Sequence, residues 1–243
     1  MHRRMLQWWL PGIAAVTLAV IVAGCSGTAD EQEVIKKYFD ASRLRDQTTL
    51  TNIATVAFRP SEDGVVQSFS VKNITDEPPH TLRIKELSAA FDEAKKADDD
   101  FSKRKNAYQE ENIDAIARVL KAESGNTRLR GKDLQVQQEW SKWREEQATH
   151  SKAVSDAQQA LASERGIAEL SVFNAAHPVN VNDYDGQLIT KDVTIAARVK
   201  TPQGETVDRT LLIKLSRADL TNGPNGDTRT GRWIITEIKD TGA

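Results

Sequence analysis

Imidazole and thiol chemistry in this 243-residue chain rests on five side chains, Cys25 and four histidines. No two of His2, His80, His150 and His177 have the spacing that a zinc site requires. His80 follows Pro78-Pro79 and His177 precedes Pro178, so both read as loop residues. His150 falls on an apolar helical seam, as a polar register element or a partner for Lys105 or Asp98. Asp183, Asp185 and Asp192 bracket Gly186 in a partial calcium-loop pattern. Its first ligand position would be Val181, which cannot coordinate, and its last is Asp where a bidentate Glu is needed. The Asp98-Asp99-Asp100 run is flanked by Lys95, Lys96, Lys103 and Arg104 and reads as a solvated helix face. Neither a glycine-rich phosphate loop nor a Gly-x-Ser-x-Gly elbow is present. These residues predict no catalytic constellation, cofactor or metal. Trp140 and Trp143 share a face with Val136 and are expected to fill the seam. The alternative is an aromatic patch that docks a partner, since tryptophan is enriched at binding hot spots.

Cys25 is the exception, because of what precedes it. Arg3 and Arg4 open the chain, an apolar run extends from Leu6 to Ala23, and Pro11-Gly12 interrupts that run. A basic start, an apolar middle and small residues at its end have the layout of an export signal rather than a permanent span. Val22-Ala23-Gly24-Cys25 resembles the lipobox of bacterial lipoproteins. The resemblance implies attachment of diacylglycerol to Cys25, cleavage before it and acylation of the new amino terminus. At about 0.8 kcal/mol per buried CH2, several acyl chains anchor firmly where one is marginal. The expected location is the cell envelope, facing the periplasm. Ser26, where an Asp would resemble an inner-membrane retention signal, tilts the resemblance toward the outer membrane.

Removing residues 1–24 takes away two arginines and no acid, leaving 31 basic residues against 35 acidic ones. That balance excludes a global nucleic-acid footprint. Aromatic residues make up 6% and mean hydropathy is −0.53, so a large surface for the mass is expected. With one cysteine there is no internal disulfide, and packing alone must hold the fold.

The elements follow from periodicity. Residues 25–31 read as a polar tether. A helix is predicted over 30–45, with Val34, Ile35, Tyr38, Phe39 and Ser42 on one stripe and acids in its first turn. A short helix through Leu50, Ile53 and Val56 follows, capped by Thr48 or Thr49. Residues 65–71 alternate as a half-buried strand. From Ile84 a heptad seam runs through Leu87, Phe91, Ala94, Asp98, Phe101, Lys105 and Tyr108, then shifts phase to Ile113, Ile116 and Leu120. Glycines and polar residues over 123–131 mark a turn. A second seam runs through Val136, Trp140, Trp143, Gln147, His150, Val154, Ala157 and Leu161. Two helices of about 38 residues, each about 57 Å long, would form an antiparallel hairpin. Period-two segments follow at 168–173, 179–184, 193–199, 206–215 and 233–239, with Asp185-Gly186 and Thr201-Pro202-Gln203-Gly204 as turns.

Glu33-Val34-Ile35-Lys36-Lys37-Tyr38-Phe39-Asp40-Ala41 is similar to the opening helix of the NTF2-like (cystatin-like) superfamily, and Trp233-Ile234-Ile235 to its closing strand. The resemblance implies an α+β fold in which a helix packs on a curved antiparallel sheet. It assigns 32–82 and 167–243 to that roll and 83–166 to an inserted coiled-coil hairpin. The leading functional expectation is a lipid-anchored structural or adaptor protein that meets an envelope protein through the arm. Its alternative is ligand binding or catalysis inside the cone of the roll.

Overall fold

The computed structural model describes residues 28–242; the export signal and the lipidation of Cys25 lie outside the described residues, and the polar tether expected over 25–31 is replaced by helix from Thr28 onward. Within that range the chain is a mixed α+β fold of five helices and a curled antiparallel sheet. Helix α1 (Thr28–Leu44) carries Asp30 and Glu31 in its first turn and Arg43 in its last, as the helix dipole favours. Arg45, with φ 57°, ends it by turning left-handed. The next residue, Asp46, caps α2 (Gln47–Ile53): its carboxylate accepts from the Thr49 amide at 3.1 Å and the Thr49 hydroxyl at 2.6 Å. The cap is thus Asp46 and not Thr48 or Thr49, because the left-handed turn at Arg45 places it one residue before the helix.

Strands β1 (Val65–Asp76) and β2 (His80–Thr81) precede the long helices, and β3 (Asp185–Lys200), β4 (Thr206–Thr221), β5 (Arg229–Thr230) and β6 (Ile234–Asp240) follow them. β3 and β4 form the centre; β1 and β2 pair with β3, and β5 and β6 pair with β4. β1 is longer than the predicted strand and slips register between Val66 and Ser68 and again between Val71 and Asn73. Its inward residues are therefore Val66, Phe69, Val71 and Ile74 rather than a single alternating set.

The central hairpin changes the face it buries. Towards its tip, Val193, Ile195, Leu211 and Ile213 point into a core with Ile35, Tyr38 and Phe39 of α1. Towards its base, Leu188, Ala218 and Leu220 point to the opposite side. The register runs unbroken from Asp185↔Thr221 to Lys200↔Thr206, so the switch is one of covering helices and not of pairing. Asp185 and Gly186 open β3 rather than forming a hairpin turn. A Cβ on Gly186 would lie 2.4 Å from the Asp219 carbonyl, so glycine there allows close approach of β4.

Helices α3 (Ile84–Glu111), α4 (Ile113–Ser124) and α5 (Gly131–Val172) lie between β2 and β3. At 42 residues, α5 is about 63 Å long. It continues through the segment predicted as a strand over 168–173. The reason is visible in its seam: Leu161, Glu164, Ala168 and Ser171 are all buried at helical spacing. Residues 179–184 also differ from the predicted strand, forming a loop that ends in a 3-10 turn at Val181–Asp183. Ser171 locks α5 to the sheet: its hydroxyl accepts from the Ala218 amide at 3.0 Å and donates to the Arg232 carbonyl at 2.8 Å. α3 is tied in at its start, where the Arg83 amide donates to the buried Glu164 carboxylate and Ile84 joins the second core.

Candidate functional site

α3 and α5 run antiparallel, because contacts that advance along α3 retreat along α5. Phe101 stacks on His150 with ring centroids 4.7 Å apart, Lys105 donates to Gln147 at 2.7 Å, and Tyr108 meets Trp143 at 5.5 Å. On α4 the order changes: Arg118 pairs with Asp133 at 2.8 Å, but Glu123, further along α4, pairs with Arg144 at 3.0 Å, further along α5. Each predicted seam position on α3 is buried or half-buried, with Phe101 fully so. On α5 the same holds except at Gln147, which is exposed while its amide oxygen holds Lys105.

Trp140 and Trp143 sit in this seam. Trp140 is 7% exposed and its ring faces the Lys105 ammonium at 5.3 Å. Trp143 is half-buried against Phe101 and Tyr108, with the Arg104 guanidinium 5.9 Å from its ring. Both indole N–H groups are buried without an acceptor, so neither is presented to a partner. His150 finds Phe101 and, 3.7 Å away on its own helix, Glu146. It pairs with neither Lys105 nor Asp98, because its ring lies flat on Phe101.

Of the three positions predicted past Tyr108, Ile116 is buried, while Ile113 and Leu120 are not. The seam continues at the same spacing through Asn112, Ala115, Val119 and Ala122, across the one-residue break between α3 and α4. Ile113 and Leu120 consequently turn outward, at 60% and 47% exposure, and Leu134 on α5 joins them at 38%. Ile113 and Leu120, seven residues apart, share one face of α4. Lys121, Arg128, Arg130 and Lys132, in and beside the turn between α4 and α5, make no ion pair among the described residues. The α4–α5 region therefore exposes three aliphatic side chains in a stretch that also carries these four cations. Counting on from Tyr108 in steps of four and three would have revealed the outward positions of Ile113 and Leu120 in the sequence.

Two carboxylates staple this end of the arm. Hydrogen bonds from Arg144 hold the Glu123 carboxyl below its usual range, and those from Arg118 do the same for Asp133. A depressed folded-state pKa gives stability that is present above the unfolded value, about 4 for these groups, and lost as pH falls through the folded one. Amide exchange over α4 should accelerate as pH drops below about 4, beyond its intrinsic pH dependence. In an Asp133→Asn, Glu123→Gln variant that extra acceleration should disappear; if it persists, the staples are not its source.

The sheet side offers less chemistry. Beneath α1 the concave face is filled by Tyr38, Phe39, Ile195 and Ile213, each 5% exposed or less. Burial pushes the Tyr38 phenol up, and its oxygen is committed: it accepts from the Phe58 amide at 2.6 Å and donates to the Val56 carbonyl at 3.2 Å. A groove of about 570 Å3 opens beyond it, between the end of α1, α2 and residues 54–61, with Arg45 and Arg59 as its charged residues. Among the described residues, no three His, Cys, Asp or Glu side chains cluster as a metal site would require. Comparison with known proteins gives no match to a family model, a curated protein or a solved structure.

Proposed function

We propose that this chain is a lipid-anchored cell-envelope protein, tethered through Cys25 and facing the periplasm, whose helical arm docks a protein partner. The observation that carries the reading is the contrast between a sheet packed shut beneath α1 and an arm that leaves Ile113, Leu120 and Leu134 exposed. The partner it fits is an envelope protein with an apolar patch edged by carboxylates, complementary to Lys121, Arg128, Arg130 and Lys132. No helix among the described residues is long and apolar enough to cross a membrane, and the anchoring part of the reading rests on the lipobox-like segment before Ser26. The helix-first order and closing meander support an NTF2-like roll, and the antiparallel α3–α5 pairing supports a coiled-coil hairpin inserted into it. The alternative, a ligand or catalytic site inside the cone, has the filled concave face against it.

Each aliphatic side chain buried on docking contributes about 1.5 kcal/mol or more, roughly tenfold in affinity. An Ile113→Glu, Leu120→Glu variant should therefore lose partner recovery from membranes more than tenfold while keeping its melting temperature. A Trp143→Phe control should retain it. The proposal fails if the partner is recovered equally by all three proteins, or if anionic vesicles alone account for what the tip binds. Cys25→Ala should abolish fatty-acid labelling, and persistent labelling would sink the anchoring part.

A further inference from the structure

The strongest unexplained feature lies where α1, α2 and the segment before β6 meet. A cleft of about 310 Å3 is lined by Asp30, Glu33, Val34, Lys37, Arg217 and Trp233, among others. A neighbouring hollow of about 190 Å3 shares Lys37, Ile53 and Arg232 with it and adds the exposed ring of Phe173. Together they reach the size at which small-molecule sites begin.

The charges in the cleft are ordered. Asp30, Glu33 and Lys37 follow one edge of α1 at helical spacing, so this edge passes from acidic to basic over about 10 Å. Neither Lys37 nor Asp30 nor Glu33 has an ion-pair partner among the described residues, and Arg232 is held only by the Asn52 carbonyl at 2.8 Å. Arg217 pairs with Asp219 at 3.2 Å through one terminal nitrogen, while its buried Nε has no acceptor. The Trp233 ring is fixed by Arg217 at 4.9 Å and Lys191 at 5.2 Å. Lys191 is not free for a ligand, since Glu31, 1% exposed, takes it at 2.6 Å. Burial works against that ammonium, but its bond and charge pairing with Glu31 prevail and hold its pKa above the usual lysine range.

We infer that this cleft binds a zwitterionic ligand, its anionic group at Lys37, Arg217 and Arg232, its ammonium at Asp30 and Glu33, and its short apolar spacer over Trp233. Phosphate and carboxylate are the anions that paired guanidinium groups recognise best. Two sources share the phosphate–ammonium chemistry: a free phosphoethanolamine and the headgroup of an ethanolamine lipid. The inference does not depend on the arm reading.

The test is calorimetric titration of the full chain in non-ionic detergent with O-phosphoethanolamine and with glycerophosphoethanolamine, the deacylated lipid headgroup. At least one should bind with a Kd below about 1 mM, and the tighter of the two identifies the source. Arg232→Gln and Lys37→Gln, both at exposed positions, should each weaken binding about tenfold. Glu33→Gln should weaken both ethanolamine ligands but leave inorganic phosphate unchanged, a split that a merely basic patch would not show. Absence of binding by both ligands, or binding indifferent to all three substitutions, overturns the inference. Arm variants at Ile113 and Leu120 should bind these ligands normally, which separates this failure from failure of the docking proposal.

Discussion

Replacing Trp140 by alanine should lower stability by about 3–5 kcal/mol, the cost of truncating a large core side chain. The effect is expected at the top of the range for a helix pair, because Trp140 is 7% exposed and Lys105 packs over its ring. No alternative side chain at that level can fill the gap, since the neighbouring seam positions are Val136 and Gln137 on one side and Trp143 on the other. Trp140→Phe should cost much less. It keeps most of the ring and removes a buried indole N–H that has no acceptor, whose desolvation costs about 1–3 kcal/mol. Urea denaturation followed by circular dichroism measures both. A loss under 1 kcal/mol for the alanine variant would mean that the indole is not seam packing.

The second large effect is expected at Gly231, far from the arm in sequence. A Cβ there would lie 2.0 Å from the Ser171 hydroxyl and 2.7 Å from the Ala218 carbonyl. Ser171 is the residue that bonds both β4 and the segment before β6, so it cannot move aside without releasing the end of α5. Gly231→Ala should therefore destabilise by about 1–3 kcal/mol from overpacking, and by more if both Ser171 bonds are lost. Because α5 is continuous, loosening this joint should also raise amide exchange in the arm-proximal turns around Leu161. Ser171→Gly in the same chain should relieve the clash and recover part of the loss. If Gly231→Ala is neutral, α5 does not press on the sheet as the structure has it.

Much of the pairing of α3 with α5 is legible in the sequence because heptad spacing is a strong signal. Ile84 to Tyr108 and Val136 to Leu161 could be placed on facing seams with no structural information. The end of α5 was not legible: Ala168 and Ser171 are buried but small, and small residues carry little periodic signal. Leu170, Val172 and Phe173 beside them imitate a strand. The change of buried face along β3 and β4 is equally hidden, since either parity of an alternating strand looks alike until its covering helix is known. The zwitterionic cleft could not be found at all. Lys37, Arg217 and Arg232 come from three segments, and each alone reads as a surface cation.

That same geometry revises how the arm should be separated from the rest. Cutting at residues 83 and 165 would remove Ile84, Leu161 and Glu164, which belong to the second core or to its hydrogen bonds. A shorter excision between Ala97 and Ser155 leaves them in place and removes Ile113, Leu120 and Leu134. Point variants are cleaner still, because they preserve the seam.

The most direct measurement is complementation of a strain lacking this protein by the lipidated Ile113→Glu, Leu120→Glu variant. Its lipidation and melting temperature are to be verified equal to wild type. An arm that docks a partner through its exposed aliphatic side chains predicts loss of function in that variant and normal function with Trp143→Phe. Full complementation by the Ile113→Glu, Leu120→Glu protein would contradict the account.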